Sequence, residues 1–315
     1  MKADVLVAEI GSTTTLINAF CGIRSGEPKF IGQGQAPTSV LEGDVRIGLN
    51  GAIEDLKANL GADKIEYGEM LATSSAAGGL RMCVHGLVYD MTVKAAEAAA
   101  LGAGAIVTMA TAGKLSEYDI EDLKEAKPNL ILLAGGTDYG EKETALFNAR
   151  MIAASGVKAP VIYAGNVQNK RAVEDIFQKA GISCTVTENV YPKLDKLNIE
   201  PARKIIHQVF EEHIIKAPGM EHIRDMVTGH IMPTPGAVME AVQLAYNEIG
   251  DVVAVDIGGA TTDVHSVTGG SEEIGILLTT PEPFAKRTVE GDLGLYVNAK
   301  NLVERIGADA LSAEL

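Results

Sequence analysis

Glu9-Ile10-Gly11-Ser12-Thr13-Thr14-Thr15 follows an apolar run at residues 5–8, and Asp256-Ile257-Gly258-Gly259-Ala260-Thr261-Thr262-Asp263 follows another at 252–255. Each stretch reads as a strand, a tight polar turn and a second strand, the latter at residues 16–20 and 264–267. A turn rich in glycine and hydroxyl residues clusters backbone N–H groups into an anion-binding nest. A carboxylate beside such a nest suits a hydrated Mg²⁺ that bridges phosphates. One such turn alone needs only ordinary turn chemistry. Two of them, with the carboxylate at the same offset, would grip the phosphate tail of a nucleotide from both sides if they faced each other.

The candidate nucleotide-binding residues are Gly11, Ser12, Thr13 and Thr14 in the first loop, and Gly258, Gly259, Ala260, Thr261 and Thr262 in the second, with Gly11, Ser12, Thr13 and Gly258, Gly259, Ala260 and Thr261 as the hydrogen-bond donors. Glu9 and Asp256 are the candidate carboxylates for a water-mediated Mg²⁺ contact. Either could orient an attacking water, and Asp256 is the catalytic candidate. Phosphoryl transfer calls for positioning and charge neutralisation more than for covalent help.

Working outward, residues 4–9, 14–21 and 29–33 read as strands. Residues 45–60 carry Ile47, Ile53, Leu56 and Leu60 at helical spacing and stop at Gly61. A strand at 69–73, the small-residue loop Ser74-Ser75-Ala76-Ala77-Gly78-Gly79 and a strand at 80–88 follow. The pattern then changes. Helices at 93–101, 116–126, 141–155 and 169–180 alternate with short apolar strands at 105–111, 130–134, 161–164 and 183–187, the signature of a parallel doubly wound sheet. Residues 200–250 read as mostly helical, with helices at 201–215, 221–227 and 236–247. Strands resume at 252–257, 261–267 and 273–280, and a helix at 294–306 closes the series. The strand-hairpin opening thus recurs after residue 250 as a pattern, without sequence identity.

The 315 residues imply roughly two domains. Apolar residues make up 46%, tryptophan is absent and aromatics reach only 4%, so the core is expected to be aliphatic. The net charge of −15, without a basic block, argues against DNA or RNA, which would need a basic face. A single nucleotide remains compatible, since backbone amides and a metal neutralise its charge locally. Cys21, Cys83 and Cys184 are widely spaced and odd in number, which fits buried thiols in a reducing compartment better than disulfides or a zinc site. The N-terminus has no signal-peptide pattern, and the weakly apolar stretch 95–113 is broken by Glu97 and glycines. The expectation is a cytoplasmic protein that does not span a membrane.

Two copies of a strand, D/E-x-G-hydroxyl turn and strand resemble the actin, sugar-kinase and Hsp70 type of ATPase. The stretch 256–263 looks like that superfamily's second phosphate loop. More narrowly, the chain resembles the methylaspartate (glutamate) mutase accessory proteins of the MutL/GlmL type. That resemblance rests on residues 9–15, 74–82, 132–138 and 252–267 and extends over essentially the whole chain. It implies an α/β, actin-like (ribonuclease H-like) two-lobed ATPase fold with an inserted doubly wound α/β unit. Lobe I would open at 1–93, with the insertion at 94–190, a helical continuation at 191–250 and the start of lobe II at 251–315. It further implies ATP and Mg²⁺ as ligands, the subunits of an adenosylcobalamin-dependent mutase as partners, and a role as reactivating factor. Radical chemistry belongs to the cofactor, and a lost adenosyl radical leaves an inert cobalamin locked in the mutase. Glu9 stands where the wider superfamily usually has aspartate. The superfamily's adenosine-binding glycine motif lies further along lobe II than residue 315, so an incomplete second lobe is expected. A small-molecule kinase and a non-catalytic actin-like assembly protein share this fold and stand as alternatives.

Four other stretches call for a reading. Leu132-Leu133-Ala134-Gly135-Gly136-Thr137-Asp138 ends a strand and opens a helix, with Thr137 or Asp138 as a natural N-cap. Residues 166–169 sit at the same sheet edge, where open α/β sheets bind ligands. The loop at 74–79 is either a flexible turn or a contact to nucleotide or mutase. Asp263-Val264-His265 approximates the D-x-H-x-x-G of cobalt-ligating proteins, but Thr268 holds the sixth place and Gly269 comes one residue late. His265 is therefore read as a strand residue.

Overall fold

The computed structural model describes residues 1–76, 78–291, 293–307, 310 and 312. The chain begins with the strands β1 (Lys2–Ile10), β2 (Thr14–Cys21) and β3 (Lys29–Pro37), then helix α1 (Val45–Leu60) and strand β4 (Glu66–Ser74). Asp44 caps α1 by accepting from the Arg46 N–H at 2.9 Å, and Gly61 ends it in the left-handed region at φ 59°. Leu49, Ala52 and Leu56 give α1 a buried face against β2 and β3. The approach is close: a Cβ on Gly34 would lie 2.1 Å from the Ala52 carbonyl oxygen.

Strands β5 (Arg81–Gly86), β6 (Ile106–Ala112), β7 (Leu130–Leu133), β8 (Val161–Tyr163) and β9 (Cys184–Val186) alternate with α2 (Lys94–Gly102), α3 (Glu117–Ala126), α4 (Glu143–Ala154) and α5 (Lys170–Lys179). They form a parallel sheet in the order β6-β5-β7-β8-β9. All four residues of β7 are buried, as a strand covered by helices on both faces must be. A capping box, Ser116 with Asp119, starts α3. The parallel sheet begins at Arg81 rather than at residue 94, because β5 with α2 is already its first strand-helix unit.

Helix α6 (Glu200–Lys216) leads to the three-residue strand β10 (Ile231–Pro233) and helix α7 (Thr234–Ile249). Strand β10 extends the first sheet, whose order is β10-β4-β1-β2-β3, antiparallel on the β2 side of β1 and parallel on the β4 side. Three residues ending in proline left no periodic signal for β10 in a stretch read as helical. Residues 221–227 supply only a 3₁₀ turn, Ile223–Asp225.

The chain then forms β11 (Val252–Ile257), β12 (Thr262–Val267), the short helix α8 (Glu272–Gly275), β13 (Ala285–Glu290) and α9 (Ala299–Ile306). Strands β11, β12 and β13 make a separate antiparallel sheet. The strand expected at 273–280 is not there. Ser271 caps a helical turn by accepting from the Ile274 N–H, and the third strand comes later, at β13. The closing helix starts at Ala299, since residues 293–298 are spent on turns that bond the second loop. Helix α7 packs on the inner face of this sheet through Met239 and Val242, against Val267 and Ala285. Among the described residues no helix is long and apolar enough to cross a membrane.

Candidate functional site

The two loops are built alike to the residue. Gly11 N–H donates to the Thr14 carbonyl at 3.0 Å, and Gly258 N–H donates to the Thr261 carbonyl at 2.9 Å. Ile10 pairs with Thr15 and Glu9 with Leu16; Ile257 pairs with Thr262 and Asp256 with Asp263. Each carboxylate is thus the penultimate residue of its strand, two positions before the glycine that opens the turn.

Neighbouring segments engage the loop carbonyls. Thr38 donates its N–H to the Thr13 carbonyl at 3.0 Å and its hydroxyl to the Gly11 carbonyl at 2.8 Å. In the second loop Leu295 N–H reaches the Gly258 carbonyl at 3.0 Å, and Tyr296 and Val297 N–H reach that of Gly259 at 2.9 and 2.8 Å. Asn298 Nδ2 holds the Ala260 carbonyl at 3.0 Å. The N–H groups of Ser12, Thr13, Gly259, Ala260 and Thr261 have no partner among the described residues. Carbonyls tied back and N–H groups left open are what an anion nest requires.

The loops meet. A Cβ on Gly259 would stand 2.3 Å from Thr13 Oγ1, so the second loop touches the first. Around this contact opens a cleft of about 1010 Å³, lined by Glu9, Gly11, Ser12, Thr13, Thr14, Asp256, Gly258, Gly259, Ala260 and Thr261. Of the loop residues read from the sequence as ligand-binding, Thr262 alone falls outside the lining. Its hydroxyl donates away, to the Leu293 carbonyl at 2.8 Å.

Burial sets the electrostatics. The Glu9 carboxyl is pushed up to about 7, first by burial and further by the Asp256 charge, with the Thr234 hydroxyl bond opposing. Thr234, the first residue of α7, lies 3.3 Å from Glu9 Oε1 and 3.3 Å from Thr73 Oγ1. Asp256 is also raised, by burial and then by the Asp263 charge, with Arg287 opposing. Asp263 and Arg287 form a buried ion pair, both carboxylate oxygens at 3.1 Å from one guanidinium nitrogen. Arg287 also donates to the Leu101 carbonyl at 3.1 Å, which fastens the second hairpin to the end of α2. Thr234 and Arg287 escaped the sequence reading. Thr234 opened a helix placed two residues too late, and Arg287 lies on the strand assigned elsewhere.

Two facing carboxylates beside open N–H groups match the donor set of a phosphate-bound Mg²⁺, which takes few protein ligands and keeps waters. Among the described residues no three His, Cys, Asp or Glu side chains converge on one point, so a metal here would need phosphate and water to complete its shell.

The other candidate stretches are accounted for locally. Asp138 Oδ1 accepts from Val167 N–H at 2.9 Å and Asn189 Nδ2 at 3.1 Å, while the fully buried Asn166 ties Tyr139, Gly140 and Glu141 together. The edge at 135–138 and 166–169 is therefore filled by its own network. The N-cap position of α4 is Lys142, not Thr137 or Asp138, and Glu141 Oε1 just before it accepts from the Thr144 N–H at 2.8 Å. Ser75, Gly78 and Gly79 line the cleft, whereas Ala77 lies outside the described residues. His265 is fully buried on the inner face of β12, as a strand residue.

Fold and site together define an α/β protein with mixed and parallel sheets and a cleft closed by two equivalent acidic hairpins. The family model described as "MutL protein" matches residues 5–315, and the chain belongs to that family. Protein MutL of Clostridium tetanomorphum is 46% identical over 285 residues, covering 88% of this chain and 62% of that protein. The chain thus spans about three fifths of the length of this relative. Among solved structures, the nucleotide-free acetone carboxylase described for ATP-dependent acetone carboxylation covers 92% of this chain and 48% of that one, at TM-score 0.43 and 17% identity. Homoserine dehydrogenase of S. aureus at pH 7.0 covers 75% and 77%, at TM-score 0.22 and 9% identity. Neither likeness is close enough to define the fold.

Proposed function

We propose that this cleft binds the phosphate tail of ATP with Mg²⁺, and that the chain belongs to an ATP-dependent reactivating chaperone for an adenosylcobalamin-dependent glutamate mutase or related aminomutase. Membership of the MutL family supports the mutase association. The observation that carries the nucleotide reading is the contact of Gly259 with Thr13, which makes two matching nests into one cavity. The sheet that is antiparallel on one side of β1 and parallel on the other, with its hairpin repeated in β11–β13, supports a two-lobed actin-like ATPase architecture.

In this reading Glu9 and Asp256 would hold Mg²⁺ through water, and the metal would supply positive charge to offset that of the phosphates. The N–H groups of residues 12–13 and 259–261 orient the phosphates, and Asp256 positions the attacking water. Nucleotide between the hairpins would favour a closed form, a hinge closure around a ligand. That closure can act on a mutase only if the open and closed forms bind it with different affinity. The test combines purified chain, mutase and inactivated cobalamin with and without Mg-ATP, alongside calorimetry of Mg-ATP on the chain and on Asp256→Ala. The expected result is ATP-dependent recovery of mutase activity and binding lost with Asp256→Ala. Mg-ATP bound equally by both chains rejects the site. Phosphorylation of a metabolite without a protein partner rejects the chaperone role in favour of a kinase.

A further inference from the structure

Beside the cleft lies a second cavity, of about 260 Å³, between α2 and the segment that leads into β13. The two spaces share a wall, since Leu101 and Arg287 line both. Arg287 turns its guanidinium to Asp263 and to the Leu101 carbonyl, so its charge is already engaged. The hollow has a sequence origin. Helix α2 presents the short side chains of Ala95 and Ala98 there, between the longer Lys94, Glu97 and Leu101. Leu197 from the chain after β9 and Pro281 and Pro283 from the segment before β13 complete the apolar walls.

The charged groups around it fall into two kinds. Lys94 pairs with Asp90 at 2.8 Å on the α2 side, and Lys286 pairs with Glu282 at 2.8 Å on the β13 side. These four side chains are exposed and form the rim, and the Glu282 charge also reaches Lys94 from across it. Glu97 is different. It stands one turn beyond Lys94 and is half-buried, yet its carboxylate accepts no hydrogen bond and pairs with no cation among the described residues. Burial pushes this carboxyl up, with the Lys94 charge opposing. Three lining carboxylates, Asp90, Glu97 and Glu282, face two lysines, so the unmatched charge is negative and belongs to Glu97. A partly buried charge without a donor is stabilised by whatever brings it one.

We propose that this cavity binds a small organic cation, an ammonium or guanidinium group on a compact apolar body, with Glu97 as its counter-ion. An apolar hollow with one placed polar group is the usual form of a small-molecule site. The walls take the body of the ligand, and Glu97 accepts charge-assisted hydrogen bonds from its head. An anion is disfavoured, because both lysines are already paired. A bare metal ion finds too few ligands, since no three His, Cys, Asp or Glu side chains converge among the described residues. None of the residues assigned to phosphate or Mg²⁺ lines this cavity, so the inference stands whether or not the cleft takes ATP.

Titration with n-butylammonium and phenethylammonium, followed through the methyl resonance of the lining residue Met91, tests it. Work at about 0.15 M ionic strength screens loosely held counter-ions. The expected result is a saturable Met91 shift with either ammonium and no comparable shift with butyrate or n-butanol. Glu97→Gln keeps the shape and removes the charge, and should weaken ammonium binding by about tenfold with no loss of stability in urea. Ala98→Leu fills the hollow, keeps Glu97 and should weaken binding as much. Glu121→Gln, on the exposed side of α3, should leave it unchanged. An unmoved Met91 resonance, or equal binding by Glu97→Gln, overturns the inference. So does butyrate binding as well as butylammonium, or an equal loss with Glu121→Gln, which would mark diffuse attraction to an acidic surface.

Discussion

Gly259 of the second loop rests against Thr13 of the first, so near that a methyl group on Gly259 would lie 2.3 Å from Thr13 Oγ1. The cleft therefore depends on a missing side chain. Gly259→Ala is expected to pry the loops apart and weaken Mg-ATP binding by about tenfold, or roughly 1.4 kcal/mol. The unfolding midpoint should barely move, because the contact lies between loops and not in a core. Thr13→Ala in the same chain removes the group struck by the new methyl and should restore most of the affinity. Calorimetry on the two single variants and the double variant measures this coupling.

Glu9 gives stability a pH dependence of known sign. Its carboxyl titrates near 7 in the folded chain, above its ordinary value of 4.5, because burial disfavours the charged form. The folded state thus holds a proton that the unfolded chain releases. The resulting stability is fully present below about 4.5 and is lost as pH rises through about 7. Allowing for partial solvent contact, the loss is roughly 2 kcal/mol between pH 5 and pH 8. Urea unfolding should show it in the unmodified chain and show it much reduced in Glu9→Gln. A metal contact needs the ionised carboxylate, so Mg²⁺-dependent nucleotide affinity should rise over the same window.

The hairpins were legible because two independent signals coincide there: period-two apolar runs and glycine-hydroxyl turns with a carboxylate at one offset. The parallel sheet was legible because its strands are short, apolar and separated by amphipathic helices. What escaped was short or ambiguous. Strand β10 has three residues and no room for a period. Residues 273–280 carry the apolar Ile274, Ile276, Leu277 and Leu278, yet these side chains are exposed and lie in or just after a capped helical turn, so apolar content there did not mean a core strand. Arg287 and Thr234 reach the cleft through tertiary packing, which leaves no local pattern to read.

The approach of α1 to β3 makes a prediction about stability alone. At Gly34 an added Cβ would lie 2.1 Å from the Ala52 carbonyl oxygen and 2.3 Å from the Leu56 nitrogen, both helix backbone. No rotamer change can relieve such a clash, so α1 must move off the sheet and unseat Leu49 and Leu56. Gly34→Ala is expected to cost about 2–3 kcal/mol in denaturant unfolding. An unchanged midpoint would mean that α1 is not seated this closely.

The Asp263–Arg287 pair is buried at both ends, with Asp263 5% and Arg287 7% exposed. Removing one partner strands the other charge away from water, which typically costs 3–5 kcal/mol. Arg287→Met should therefore destabilise the chain by about 3 kcal/mol and also free the Leu101 carbonyl at the end of α2. Asp263→Leu alone should cost a similar amount by stranding the guanidinium. The double variant should be closer to the unmodified chain than the sum of the two, because it leaves no buried charge without a counterpart. Additive losses in that cycle, measured by urea unfolding at pH 7, would show that the two side chains do not depend on each other.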